Sequence, residues 1–116
     1  MKKILVVNND FDTMTLLKNW LEKKAYEVKF TGNEAEVFTI INKFDPDLML
    51  IDVSHSELIS TLKKQQENRQ APILLMTGYT FREATRKLPV DDSIEKPFNL
   101  GLFEKKIETL LQRRIA

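Results

Sequence analysis

Apolar residues fall into two alternating patterns along the chain. Ile4-Leu5-Val6-Val7, Leu48-Met49-Leu50-Ile51 and Ile73-Leu74-Leu75-Met76 are short, continuous apolar runs, halted by Asn8, Asp52 and Thr77 respectively. Tyr26 to Phe30 predicts a further strand, closed by the Thr31-Gly32-Asn33 turn, and Ser93-Ile94-Glu95 a last and weakest one before Lys96-Pro97. Strands that are apolar throughout suit a sheet covered on both faces, and hence parallel pairing.

Between the runs the period changes to that of a helix. After Asp12, an expected N-cap, Leu17, Trp20, Leu21 and Lys24 recur at helical spacing, and Trp20 is read as core. Asn33 is expected to cap a helix with Val37, Phe38, Ile41 and Phe44 inside. Leu58, Ile59 and Leu62 mark a third helix, and Phe81, Ala84 and Leu88 a fourth that ends near Pro89. Asn99 is expected to cap the last, which carries Phe103, Ile107, Leu110 and Leu111 on its inner face. Five strands alternating with five helices predict a doubly wound (βα)5 sandwich over residues 1–116, read as one domain.

Composition narrows the classes of function. Net charge is +1, from 18 basic and 17 acidic residues, which argues against nucleic-acid binding driven by electrostatics. The pairs Lys63-Lys64, Lys105-Lys106 and Arg113-Arg114 are read as solvated faces. The absence of cysteine excludes disulfides and thiolate metal sites. A single histidine, His55, cannot build a histidine-rich metal site and is expected to be a solvated loop residue. No apolar run approaches the length of a membrane span or a secretory signal, so a cytoplasmic protein without membrane contact is expected.

The candidate chemistry lies where strands end. Asn8/Asn9/Asp10, Asp52, Thr77 and Lys96 each stand at the end of a predicted strand, and open α/β sheets bind ligands beyond the carboxyl ends of their strands. If the strand order is 2-1-3-4-5, the strands that carry these groups are neighbours and the second strand is an edge. One pocket would then hold a carboxylate, a hydroxyl, an ammonium group and two amides. The bland alternative is an Asp52–Lys96 ion pair that stabilises the sheet edge without chemistry.

These residues resemble the receiver domains of two-component response regulators over essentially the whole chain. The likeness rests on Lys2-Lys3-Ile4-Leu5-Val6-Val7, Pro46-Asp47-Leu48-Met49-Leu50-Ile51-Asp52, Ile73-Leu74-Leu75-Met76-Thr77-Gly78 and Asp91-Asp92-Ser93-Ile94-Glu95-Lys96-Pro97-Phe98. It implies a flavodoxin-like parallel sheet of order 2-1-3-4-5. It implies that Asp52 accepts a phosphoryl group from a histidine kinase, with Thr77 and Lys96 binding that group and position 93 acting as a switch. It also implies a magnesium site at positions 8, 9, 52 and 54, here Asn8, Asn9, Asp52 and Ser54. Expected partners are a kinase or an output protein, with possible homodimerisation through residues 80–113.

Four departures bear on that likeness. Asn8 and Asn9 stand where the family has an acidic pair. The loop Val53-Ser54-His55-Ser56-Glu57 lacks the usual Met-Pro and Asp-Gly elements and is short. The stretch from Thr77 to Lys96 is also short, and Ser93 replaces an aromatic residue. Magnesium prefers carboxylate oxygens, so weak or absent binding is expected, with Asp10 as a possible surrogate ligand. The expected role is therefore a pseudo-receiver that works by protein contact and not as an enzyme; the alternative is a working aspartyl-phosphate receiver. A remoter alternative reads Asp10-Phe11-Asp12 as the start of a haloacid-dehalogenase-like phosphatase, although Met14 and the position of Lys96 fit that motif poorly. A flavodoxin-like cofactor binder is disfavoured because the first loop has no glycine-rich phosphate cradle.

Overall fold

A computed structural model of the chain describes residues 1–65, 71–78, 88–96 and 99–113. Strands β1 (Lys3–Val7), β2 (Glu27–Thr31), β3 (Leu48–Asp52), β4 (Ile73–Thr77) and β5 (Asp92–Glu95) form one parallel sheet in the order β2-β1-β3-β4-β5. The described helices are α1 (Phe11–Lys23), α2 (Glu34–Phe44), α3 (Ser56–Gln65) and α4 (Leu100–Arg113). This is the flavodoxin-like arrangement that the strand pattern and the resemblance imply. The helix expected around Phe81 and Ala84, and the Lys96-Pro97 bond, lie outside the described residues.

Successive residues of a strand face opposite sides of a sheet, which explains why β1, β3 and β4 are apolar throughout. Ile4, Val6, Leu48, Leu50, Leu74 and Met76 pack with Leu17 and Leu21 of α1 and Phe103, Ile107 and Leu110 of α4. Leu5, Val7, Met49, Ile51, Ile73 and Leu75 pack on the other face with Val37 and Ile41 of α2 and Ile59 and Leu62 of α3. Each such fully buried side chain contributes on the order of 2 kcal/mol of transfer free energy. The edge strand β2 is the exception, with alternating exposure from Glu27 to Phe30. Trp20 is half-buried and stacks on Phe103, ring centroids 5.5 Å apart.

Helix starts follow local hydrogen bonding. Asn33 Oδ1 accepts from Ala35 N–H (3.0 Å), and Asn99 Oδ1 from Leu102 N–H (3.0 Å), so both expected caps are found. The start of α1 differs from expectation. Asp10, not Asp12, is its N-cap, accepting from Thr13 N–H at 3.2 Å and from the Thr13 hydroxyl. The reach of that carboxylate to Thr13 starts the helix two residues early and leaves Asp12 in the first turn. β2 likewise runs one residue later than Tyr26–Phe30, because Tyr26 N–H bonds back to Leu21 O at the end of α1 (3.2 Å).

Candidate functional site

The parallel register sets the carboxyl ends of four strands side by side. Val7 pairs with Thr31 and Ile51, Asp52 with Met76, and Thr77 with Glu95. Asn8, Asp52, Thr77 and Lys96 consequently gather at one edge of the sheet. Asn8, Asp52 and Thr77 are all buried, each below a tenth exposed.

Asp52 is the hub. Lys96 Nζ–H donates to its Oδ1 at 2.5 Å. Ser54 donates to its Oδ2 from both the backbone N–H (3.0 Å) and the hydroxyl (2.7 Å), closing a short 3₁₀ turn over Val53–His55. Burial pushes the Asp52 carboxyl up, but the hydrogen bonds from Lys96 and Ser54 outweigh it and hold the group below the ordinary carboxylate range. Both oxygens thus already have protein donors.

The first loop is arranged by amides. Asn8 Oδ1 accepts from Asp10 N–H (2.6 Å), and Asn8 N–H reaches across to Thr31 O (3.0 Å). Asn8 Nδ2 is buried and has no hydrogen-bond partner among the described residues. Asp10, the alternative surrogate ligand that the sequence offered, serves as the α1 cap, and the Thr13 hydroxyl holds its carboxyl below the ordinary range. Thr77 Oγ–H donates to the carbonyl of Gly78 (3.2 Å). Ser93 is half-buried on β5, opposite Leu75, and lines a cleft of about 380 Å³ with Leu102 and Lys106.

His55 corrects the sequence reading. It is 6% exposed, not solvated, and its ring lies between two other loops. Nδ1 meets Glu34 Oε2 at 2.6 Å, and Nε2 meets Asn9 Oδ1. These partners stand 21 and 46 residues away, so no local pattern reveals them. The available signal was the convergence of strand-end loops, which puts any polar residue after β1, β2 or β3 within reach of the others. Two of the lysines read as solvated are also paired: Lys63 with Asp91 (3.2 Å) and Lys106 with Asp92 (2.9 Å). Asp91 additionally accepts from Ile73 N–H at 2.8 Å, fixing the start of β4, a role the sequence did not disclose.

Comparison with known proteins agrees with this geometry. The family described as "Response regulator receiver domain" matches residues 4–108. Transcriptional regulatory protein CpxR of Escherichia coli (strain K12) is 30% identical over 118 residues, covering 97% of this chain and 50% of CpxR. The 3',5'-cyclic-nucleotide phosphodiesterase regA of Dictyostelium discoideum is 30% identical over 121 residues, covering 95% of this chain and 15% of regA. This chain therefore spans half or less of the length of those two relatives. In structure, the receiver domain of the TMAO respiratory system response regulator TorR superposes with a TM-score of 0.87 at 23% identity, covering 99% of this chain and all of the other. With five parallel strands in the receiver order and a family match over nearly its whole length, the chain belongs to the response regulator receiver domains of two-component signalling.

Proposed function

We propose that this receiver domain acts as a protein-interaction module that does not depend on phosphorylation of Asp52. The observation that carries the reading is the engagement of both Asp52 oxygens, by Lys96 on one side and Ser54 on the other. A phosphoryl acceptor needs a free oxygen and a neutraliser for the charge that develops on the transferred group. Magnesium is the family's neutraliser, and the donor set here fits it poorly. Asp52 is balanced by Lys96, the Asn9 oxygen faces His55, the Asn8 oxygen faces Asp10 N–H, and Asn8 Nδ2 is a buried donor. A hard cation calls for near-octahedral oxygen ligands, usually with carboxylate among them, and amide dipoles replace that charge only in part. Weak or absent magnesium binding is part of the proposal, and so is a role without catalysis.

Partners are proposed at two levels. Response regulators work with histidine kinases and output proteins, and one of these classes is the expected partner. The contact face proposed is β5 with α4, where Leu100 and Leu102 are more than 40% exposed and Ser93 leaves a cleft in place of an aromatic side chain. A second copy of the chain could dock on the same face. The near-zero net charge argues against nucleic acid as the direct ligand.

The convergence of Asp52 with Lys96 and Thr77 favours one second reading, a working aspartyl-phosphate receiver. An amide NMR titration with magnesium, followed by a beryllofluoride phosphoryl mimic, separates the two. The interaction-module reading expects no saturable shifts at Asn9, Asp52, Thr77 and Lys96 at millimolar magnesium, with or without the mimic. Shifts clustered at those four residues would establish an acceptor pocket and end the phosphorylation-independent reading.

A further inference from the structure

We propose that His55 is a latch that closes the strand-end pocket to divalent cations, separately from the loss of the acidic pair. This deepens, and rests on, the reading of the pocket as one that does not take magnesium. The ring is buried and fastened at both ends, by Glu34 at the start of α2 and by Asn9 in the loop after β1. It joins three strand-end loops from one point, and the Asn9 oxygen it engages belongs to the position where the family's second acidic residue would meet the metal.

The chemistry of the two partners explains why an amide stands at position 9. Glu34 Oε2, 2.6 Å from Nδ1, requires a proton on that nitrogen. Nε2 then either bears a proton, which a carbonyl oxygen accepts, or is bare, and needs a donor. An asparagine serves both cases by turning its amide, whereas an aspartate serves only the first. Gly32 completes the fit. A Cβ at that position would lie 3.1 Å from both Cγ and Nδ2 of Asn9, so the missing side chain leaves room for the carboxamide beside the ring. Restoring negative charge alone therefore leaves one oxygen of the new carboxylate at position 9 held by the imidazole, which limits how that group can turn towards a cation.

The test uses magnesium titration, followed by amide NMR, on four chains: wild type, Asn8→Asp/Asn9→Asp, that pair with His55→Met, and that pair with Glu34→Gln. Glu34 is 45% exposed on its side chain, so the last variant loosens the ring without opening the core and guards against misfolding of the His55 variant. As His55 is the only histidine, its ring nitrogens give one unambiguous set of signals that reports whether the latch is fastened. The expected result is no saturable binding by the wild type and weak binding by the double aspartate chain. Removing or loosening His55 then tightens binding by about tenfold or more. Equal affinity, or an equal lack of binding, in the double aspartate chain and in both chains with the latch undone would overturn the latch while leaving the proposed function standing. Saturable binding by the wild type would overturn both.

Discussion

Replacing Lys96 with methionine tests the hub of the site. The substitution keeps most of the side-chain volume and removes the ammonium that lies 2.5 Å from Asp52 Oδ1. The Asp52 side chain is 10% exposed and that of Lys96 is 33% exposed, so the pair sits between a surface bridge and a fully buried one. Surface pairs contribute about 0–1 kcal/mol, and breaking a buried pair costs about 3–5 kcal/mol. Water reaching the pocket from the lysine side places the expected cost of Lys96→Met at about 1.5–3 kcal/mol, near the value of a charge-assisted hydrogen bond. Asp52→Asn should cost less, about 1 kcal/mol or below, because the freed ammonium can turn to solvent while Ser54 still finds an acceptor. The double variant should then lie closer to the wild type than the sum of the singles, a positive coupling of roughly 1–2 kcal/mol.

Urea unfolding at neutral pH, followed by the emission of Trp20, measures all four chains. The pH dependence supplies an independent sign. In the wild type Asp52 is held below its unfolded pKa, so its stabilisation is complete above the unfolded carboxylate range and disappears as pH falls through the lower folded value. In Lys96→Met the largest relief of burial is gone, and protonating Asp52 removes an unpaired buried charge. The cost of that variant should therefore shrink as the pH drops below about 4. Additive single costs, or a Lys96→Met cost that is unchanged between neutral and acid pH, would refute the reasoning.

Three further outcomes follow from the fold. Ala25 has a left-handed backbone (φ 65°) just after α1, so Ala25→Gly should stabilise the chain by about 0.5–1 kcal/mol, the relief of strain less the greater freedom of glycine when unfolded; a lower melting temperature would contradict it. Asn33→Ala removes the α2 cap and should cost about 1 kcal/mol in urea unfolding, whereas Asn33→Asp should cost little. Phe103→Ala opens a fully buried site and removes the stack on Trp20, for an expected loss of about 3–5 kcal/mol together with a changed Trp20 emission; a loss below 1 kcal/mol would mean that α4 is not packed as described.

The fold was legible because its signals are local. Continuous apolar runs mark β1, β3 and β4, since each strand serves two layers, and Asn33 and Asn99 announce their helices by cap chemistry that reaches only two or three residues. The α1 cap was misplaced for a related reason: Asp10 and Asp12 are equally good cap residues, and only the contact of Asp10 with Thr13 decides between them. Asp52, Lys96 and Thr77 could be gathered from strand ends once the order 2-1-3-4-5 was assumed. His55 could not. Its partners come from two other loops, and a lone histidine after a strand carries no period or motif to show that it is buried.

The same comparison bears on how the pocket is held together. Where a metal bridges strand-end loops, its charge does the joining, and the loops respond to whatever binds the metal. Here the chain's own groups bridge the loops: the backbone hydrogen bond from Asn8 N–H to Thr31 O between the first two strands, and the side chains of His55 between Asn9 and Glu34 and of Lys96 to Asp52. Each bridge has a fixed partner and forms within the chain itself. Among the described residues the buried donor Asn8 Nδ2 is left over, and an unpaired buried amide costs about 1–3 kcal/mol. That cost sits where the family would hold a carboxylate, so replacing Asn8 with Asp would exchange an unpaired donor for a buried charge. The two asparagines are therefore coupled to the bridges around them, and the proposed latch predicts that tight cation binding requires charge and bridges to be changed together.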